Sequence, residues 1–119
     1  MSVDCEAYIG YTVTLKENLK GEDFDFFNEF VEAHDEYNRY DSKGKVLVAV
    51  DGMSGDYARL VFVDEHIEDC WINGRDYFPL KAAPAPLDVY AELNKAYRAM
   101  YGKDLEYGSI EYALWFMFC

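Results

Sequence analysis

Every second residue of the segment from Cys5 to Leu15 is apolar. Successive side chains of a β-strand point to opposite faces of a sheet, so this alternation predicts a strand with one buried face. The other face carries Glu6, Thr12 and Thr14 together with Tyr8, and we expect it to be open to solvent. The face predicted to be buried consists of Cys5, Ala7, Ile9, Tyr11, Val13 and Leu15.

The following segment, from Asp23 to about Tyr37, has the residue spacing of an amphipathic helix. Asp23 is placed to cap its first turn. Its apolar side contains Phe26, Phe27, Phe30, Val31, Ala33, His34 and Tyr37. The opposite side carries carboxylates at spacings of three and four, and no lysine or arginine lies between residues 21 and 38. We call this row the acidic stripe, and it consists of Glu22, Asp25, Glu29, Glu32 and Glu36.

Two β-hairpins are predicted in the middle of the chain. The runs Lys45–Val50 and Tyr57–Val63 are rich in β-branched residues and flank a glycine-containing, turn-like loop. Asn73-Gly74 is a strong hairpin signal between the short segments Cys70–Ile72 and Asp76–Leu80.

The C-terminal part is predicted to form a helix and then a strand. Asp88 can cap a helix that runs to Tyr101, and Gly102 is well placed to end it. The run Ile110–Phe118 is apolar on both alternating faces, which is typical of a central strand, although a helix stays open for so short a run. The element order is compatible with a ferredoxin-like sandwich that carries an inserted hairpin. We therefore predict one α+β domain over residues 1–119, with an antiparallel sheet and both helices on one face.

The charge of the chain limits its partners. The 23 Asp and Glu against 11 Lys and Arg give a net charge of −12, which repels nucleic acid and anionic membranes and attracts basic surfaces. Aromatic residues make up 18%, more than one small core easily hides, and Tyr and Trp are enriched at binding surfaces. The three cysteines form no CxxC motif, and the acidic N-terminus lacks the features of a signal peptide. We expect a cytoplasmic protein without a disulfide scaffold.

Residues 64–70 hold the densest mix of possible metal ligands. In an extended chain Asp64, His66, Glu68 and Cys70 would share one face, a set that a divalent cation could use. A charged strand end or loop explains the same residues more simply, and the H-x-E match at His66 lacks the P-C-x-x-C of zinc deaminases. In an extended segment, His66 is also poorly placed to activate the Cys70 thiol. We therefore predict no catalytic residues, no metal site and no cofactor.

Exposed aromatic residues on a ferredoxin-like sheet would suggest RNA binding, and Tyr8 and Tyr112 are candidates for such a face. The basic residues of that kind of module are absent, and the net charge has the wrong sign. Direct nucleic-acid binding is therefore rejected.

The acidic stripe is the remaining candidate site. Like charges at helical spacing repel one another, so a row of them on a rigid helix costs stability. Such a row resembles a phosphate backbone and would be steered toward the Lys/Arg groove of a basic nucleic-acid-binding protein. Small acidic proteins of phages and mobile elements, among them some inhibitors of CRISPR nucleases, work in this way, which supplies an analogy. A second acidic cluster that would assist consists of Asp64, Glu65, Glu68 and Asp69.

Other interpretations of the chain stay open at this point. The stripe is also what a solvated helix face of a protein with unrelated function would carry. The surplus of aromatic residues equally suits a small adaptor or structural protein, which would use an aromatic surface and self-associate through an exposed strand. A metal protein or enzyme built around His66 and Glu68 is the remaining alternative.

Overall fold

The computed structural model describes residues 5–38, 43–51, 57–70 and 77–117 of the chain. Within these ranges the chain forms one five-stranded antiparallel sheet, two α-helices and two short 3₁₀ helices. The strands are β1 (Cys5–Glu17), β2 (Val46–Asp51), β3 (Tyr57–Cys70), β4 (Tyr77–Pro79) and β5 (Glu111–Met117). The α-helices are α1 (Gly21–Ala33) and α2 (Leu87–Tyr101), and the 3₁₀ helices span Asp35–Tyr37 and Tyr107–Ser109.

The strands are ordered β2-β3-β1-β5-β4 across the sheet, and each neighbouring pair is antiparallel. The predicted α+β class is therefore confirmed. Without β4, the chain order β1-α1-β2-β3-α2-β5 is compatible with the predicted ferredoxin-like arrangement. The turn predicted at Asn73-Gly74 lies outside the described residues. The described part of its second arm, Tyr77–Pro79, pairs with β5, whereas Cys70 of its first arm ends β3 opposite Cys5 of β1. The described parts of the two arms therefore do not pair with each other as the predicted hairpin requires, because β3 and β4 are not neighbours in the sheet.

Both helices pack on the same face of the sheet, as predicted. Buried residues of α1 and α2 join one apolar cluster with side chains from β1, β2 and β3. Burial of these side chains removes apolar surface from water, which is the main favourable term in folding. Members of this cluster from the two helices and the three strands include Val13, Phe30, Val31, Val48, Leu60, Leu93 and Ala96.

The opposite face of the sheet is also buried, although its apolar cluster contains no residue of either described helix. The prediction that β1 buries one face only is therefore wrong. Tyr8, expected on an open face, is fully buried and stacks on Trp115 with 5.3 Å between the ring centroids. Tyr and Thr tolerate burial when neighbouring strands place large side chains over them. The alternation within β1 alone does not show which side chains the neighbouring strands contribute. This second cluster consists of Tyr8, Leu47, Ala49, Tyr57, Val61, Val63 and Trp115.

The first helix begins before its predicted start and ends before its predicted end. Asp23 is not the cap residue but lies in the first turn, where its carboxylate accepts hydrogen bonds from the Lys20 backbone N–H at 2.9 Å and from Lys16 Nζ at 2.6 Å. At the other end α1 stops at Ala33, and Glu36 belongs to the 3₁₀ helix that follows.

The predictions for the C-terminal part hold with small shifts. Helix α2 begins after Pro86, so Asp88 lies in its first turn and is not its cap. Gly102 ends the helix in the left-handed region at φ 71°, as predicted. The final run is a strand, and β5 lies between β1 and β4 in the sheet. Neither α1 nor α2, the α-helices of the described ranges, has the length and apolar character needed to cross a membrane.

Candidate partner-binding surface

The acidic stripe lies on the solvent-exposed side of α1. Phe27, Phe30 and Val31 are buried against the sheet and fix the rotation of the helix about its axis. This rotation leaves four carboxylates of α1 exposed, and the fifth is exposed on the 3₁₀ helix. The predicted placement on the exposed side of α1 is therefore confirmed for Glu22, Asp25, Glu29 and Glu32, whereas Glu36 is exposed but lies outside α1.

The stripe is not a single straight row. With a rise of about 1.5 Å per residue, the carboxylates from Glu22 to Glu32 cover about 15 Å of helix axis, or about one charge every 5 Å. The continuous row of five predicted from helical spacing is wrong at its last member, because Glu36 follows the helix end at Ala33. Glu36 extends the acidic surface beyond the helix without sharing its axis.

No salt bridge or side-chain hydrogen bond in the described ranges involves a carboxylate of the stripe. The ion pairs found there use acids elsewhere: Lys16 binds Asp23, Lys43 binds Glu65 and Arg98 binds Asp104. No ion pair in these ranges therefore offsets the charges of the stripe. Because exposed like charges at this spacing repel each other, the arrangement costs the helix some stability.

The second acidic cluster is less available than the stripe. Asp64 is half-buried and accepts a hydrogen bond from Tyr112 Oη at 2.9 Å. Burial, together with this bond to Asp64, raises the pKa of Tyr112 to about 12. Glu65 is exposed but lies 3.0 Å from Lys43 Nζ. Glu68 and Asp69 belong to β3, and the positions of their side chains lie outside the description.

A lysine lies beside one carboxylate of the stripe and another lysine beside one carboxylate of the second cluster. Glu36 and Lys45 line one small cleft of about 170 Å³. Lys43, which precedes β2, forms the ion pair with Glu65. Glu36 and Glu65 therefore lie near the same end of β2, each with a lysine close by.

An irregularity in β3 separates Asp64 from His66, two of the four residues that an extended chain would place on one face. Gly10 of β1 is opposite Val63 and Ile9 is opposite Glu65, so Asp64 is an extra residue in the ladder. Beyond it, His66 stacks on Tyr8 of the second cluster, with 4.6 Å between ring centroids. Asp64 instead reaches Tyr112, whose ring packs on Tyr11 beside the helix-side core.

The shared face predicted for Asp64 and His66 is therefore wrong. A classification of side chains as odd or even along an extended strand fails once an extra residue enters the ladder. Among the residues that the structure describes, no group of three His, Cys, Asp or Glu is placed to hold a metal ion. The other histidine, His34, has Nδ1 within 3.0 Å of the Phe30 carbonyl oxygen and stacks on the Phe30 ring.

An exposed aromatic pair borders the stripe. Phe26 stacks on Tyr101, the last residue of α2, with ring centroids 5.9 Å apart. Phe26 is 43% exposed and Tyr101 is 37% exposed. The sequence pattern assigned Phe26 to the apolar side of α1, but it lies at the border between that side and the stripe. Its spacing from Glu22 and Glu29, four and three residues away, is the signal that could have identified this position.

Comparison of the chain with protein-family models, curated proteins and solved structures finds no match. The function is therefore inferred from this surface alone: an exposed, unpaired row of carboxylates with aromatic side chains at its edge.

Proposed function

We propose that the protein is an acidic inhibitor that binds a basic nucleic-acid-processing protein and blocks its DNA or RNA site. The observation that carries the proposal is the exposure of all five carboxylates of the stripe without an ion pair in the described ranges. The protein would act by occupancy alone, without turnover or a cofactor. A phage or mobile element is the expected source, and a CRISPR nuclease is one example of a target.

Electrostatics supports a basic partner. The net charge of −12 repels phosphate and attracts a Lys/Arg groove over distances of about a Debye length. On α1 the stripe carboxylates form a fixed row with about 5 Å of helix axis between successive charges. The phosphates along one DNA strand are spaced by about 3.4 Å of rise. The stripe would thus present to the partner a sparser version of the charge row that the partner normally binds.

The aromatic border of the stripe adds what charge alone does not provide. Exposed charge pairs contribute little net binding energy, whereas buried aromatic anchors dominate most interfaces. Phe26 and Tyr101 are adjacent to the stripe and are partly exposed already, so they can be covered by a partner that lies on α1. In the second acidic cluster, the side chains of Asp64 and Glu65 are described. Asp64 already accepts a hydrogen bond from Tyr112, so of these two Glu65 is the one that would contribute to binding.

An adaptor that uses an aromatic surface is the second candidate function. Exposed apolar side chains at Phe26, Leu87, Tyr101 and Tyr107 favour it. Self-association through β2 is disfavoured, because this strand at one margin of the sheet is buried from Val46 to Ala49. Ionic strength separates the two functions: binding by the stripe weakens steeply with salt, and binding by an aromatic surface does not.

The test is affinity capture from a bacterial lysate on the immobilised protein at low salt, followed by mass spectrometry. Wild-type protein is compared with a triple variant, Asp25→Lys/Glu29→Lys/Glu32→Lys. A matched control, Glu17→Lys/Glu92→Lys/Glu106→Lys, changes the net charge by the same amount at exposed positions outside the stripe. Circular dichroism verifies that all three proteins are folded.

We expect wild type and the control to retain one basic nucleic-acid-binding protein, which added DNA or high salt displaces. The stripe variant should not retain it. If the stripe variant captures the same protein equally well, the stripe is a solvated helix face without a role in binding. Recovery of salt-resistant partners alone would favour the adaptor.

A further inference from the structure

We propose that Phe26 and Tyr101 form an anchor for an arginine side chain of the basic partner. The proposal deepens the proposed function and rests on it, because it names the residue type that the surface beside the stripe would select. The guanidinium would lie over the exposed parts of the two rings and face the carboxylates of Glu22 and Glu29.

The two rings form one continuous surface between α1 and α2. Phe26 and Tyr101 are tilted by only 27° from parallel, and Tyr97 extends the group with its centroid 4.9 Å from that of Tyr101. Phe26 also packs edge-on against the buried ring of Phe27, which holds it in place. Rings held in this way lose little conformational freedom when a partner covers them.

The charges next to the rings select a cation. Glu22 and Glu29 precede and follow Phe26 by four and three residues, so they are its neighbours on the helix surface. A purely apolar side chain placed here would remove water from these carboxylates without pairing them, which is unfavourable. A guanidinium covers the rings with its flat face and pairs with carboxylates through its edge.

Arginine suits the surface better than lysine. The guanidinium is more weakly hydrated than an ammonium group and stacks on aromatic rings, so it loses less on leaving water. Tyr101 and Tyr97 line a groove of about 470 Å³, together with Val13, Leu15 and Leu105. This groove leaves room for the peptide that carries the arginine.

Two lysines of the groove do not oppose this placement. Lys16 is already paired with Asp23 at 2.6 Å. Lys103 lines the groove beside Asp104 and Glu106. The guanidinium is assigned to the exposed parts of the rings at the Phe26 end of the pair, beside Glu22 and Glu29 of α1.

The test compares labelled deca-arginine and deca-lysine peptides of equal charge, with fluorescence anisotropy at low salt as the measurement. Wild type should bind deca-arginine about two- to fivefold more tightly than deca-lysine, the range expected for an exposed cation–π contact. In Phe26→Leu/Tyr101→Leu, which keeps the charge and much of the apolar volume, this preference should disappear while deca-lysine binding persists.

Tyr107→Leu is the matched control. Tyr107 is 42% exposed and packs on Tyr90. Tyr90 precedes Tyr101 by 11 residues, which is about 16 Å along the axis of α2. This variant should keep the arginine preference. Equal binding of the two peptides by wild type, or an undiminished preference in the double variant, overturns the anchor but leaves the stripe proposal standing. If wild type binds neither peptide, both proposals fail.

Discussion

Reversing one charge in the middle of the acidic stripe should make the protein more stable. Glu29 lies four residues after Asp25 and three before Glu32, and all three side chains are exposed. Each like-charge pair at this spacing costs about 0.2–0.5 kcal/mol, and an opposite pair gains a similar amount. Glu29→Lys converts both pairs, so the free energy of unfolding should rise by about 1 kcal/mol.

Other contributions to this change are small. Lys and Glu have similar helix propensities, and position 29 is near neither end of α1, so the helix dipole adds little. For a chain of this size the predicted gain corresponds to about 4 °C in Tm. The assay is urea unfolding followed by circular dichroism, at low and at high salt, and the gain should shrink as salt screens the charges.

Glu106→Lys is the control, because it changes the net charge equally at an exposed position outside the stripe. It should be close to neutral. If Glu29→Lys is no more stable than Glu106→Lys, the carboxylates of the stripe do not repel one another appreciably, and the reasoning about its cost is refuted.

Three further predictions concern single positions. Gly10→Ala should destabilise the fold by about 3 kcal/mol or more, because the new Cβ would lie 2.0 Å from the Phe62 carbonyl oxygen; Gly21→Ala, with open space around its Cβ, should be neutral or stabilising in the same urea titration. Burial and the bond to Asp64 raise the pKa of Tyr112 from 10.0 to about 12. The contribution of Tyr112 to the free energy of unfolding should therefore be fully present below pH 10 and be lost as the pH rises toward 12. Tyr112→Phe should make that alkaline fall shallower, and an unchanged fall would contradict the assignment. Hydrogen bonds from Lys16 and the Lys20 N–H hold the pKa of Asp23 below 3.8, so its contribution is present above that pH and lost as pH falls through the lowered pKa. Asp23→Asn should therefore lower the unfolding midpoint at pH 7, and its difference from wild type should shrink as the pH falls below 3.8; equal midpoints at pH 7 would show that the contact of Asp23 with the first turn is unimportant.

The regular elements were predictable because their signals are local. Alternation located β1, and the antiparallel pairing of β2 with β3 was correctly predicted, although residues 52–56 of the predicted turn lie outside the described ranges. Helical spacing placed the exposed side of α1, and Gly102 ends α2 as predicted. The exposure of the stripe follows from the same spacing, since a helix that buries Phe27, Phe30 and Val31 turns the carboxylates outward.

The contacts that were not predicted join residues far apart in the chain. The extra residue at Asp64 arises in the β1–β3 ladder and sends that side chain to Tyr112, which lies 48 positions away. Burial of Tyr8 depends on Trp115 of β5, and the aromatic border of the stripe depends on Tyr101 of α2 meeting Phe26 of α1. Patterns within one segment carry no information about such pairs, because they are set by how the elements pack.

The most direct test of the central claim is a competition between duplex DNA and this protein for the captured basic target. Labelled DNA bound to the target is titrated with wild type and with Asp25→Lys/Glu29→Lys/Glu32→Lys, at salt concentrations from about 50 to 200 mM. If the stripe occupies the nucleic-acid site, wild type displaces the DNA completely, its affinity for the target falls steeply with salt, and the variant displaces none. A stable complex containing target, DNA and wild-type protein together would contradict nucleic-acid mimicry.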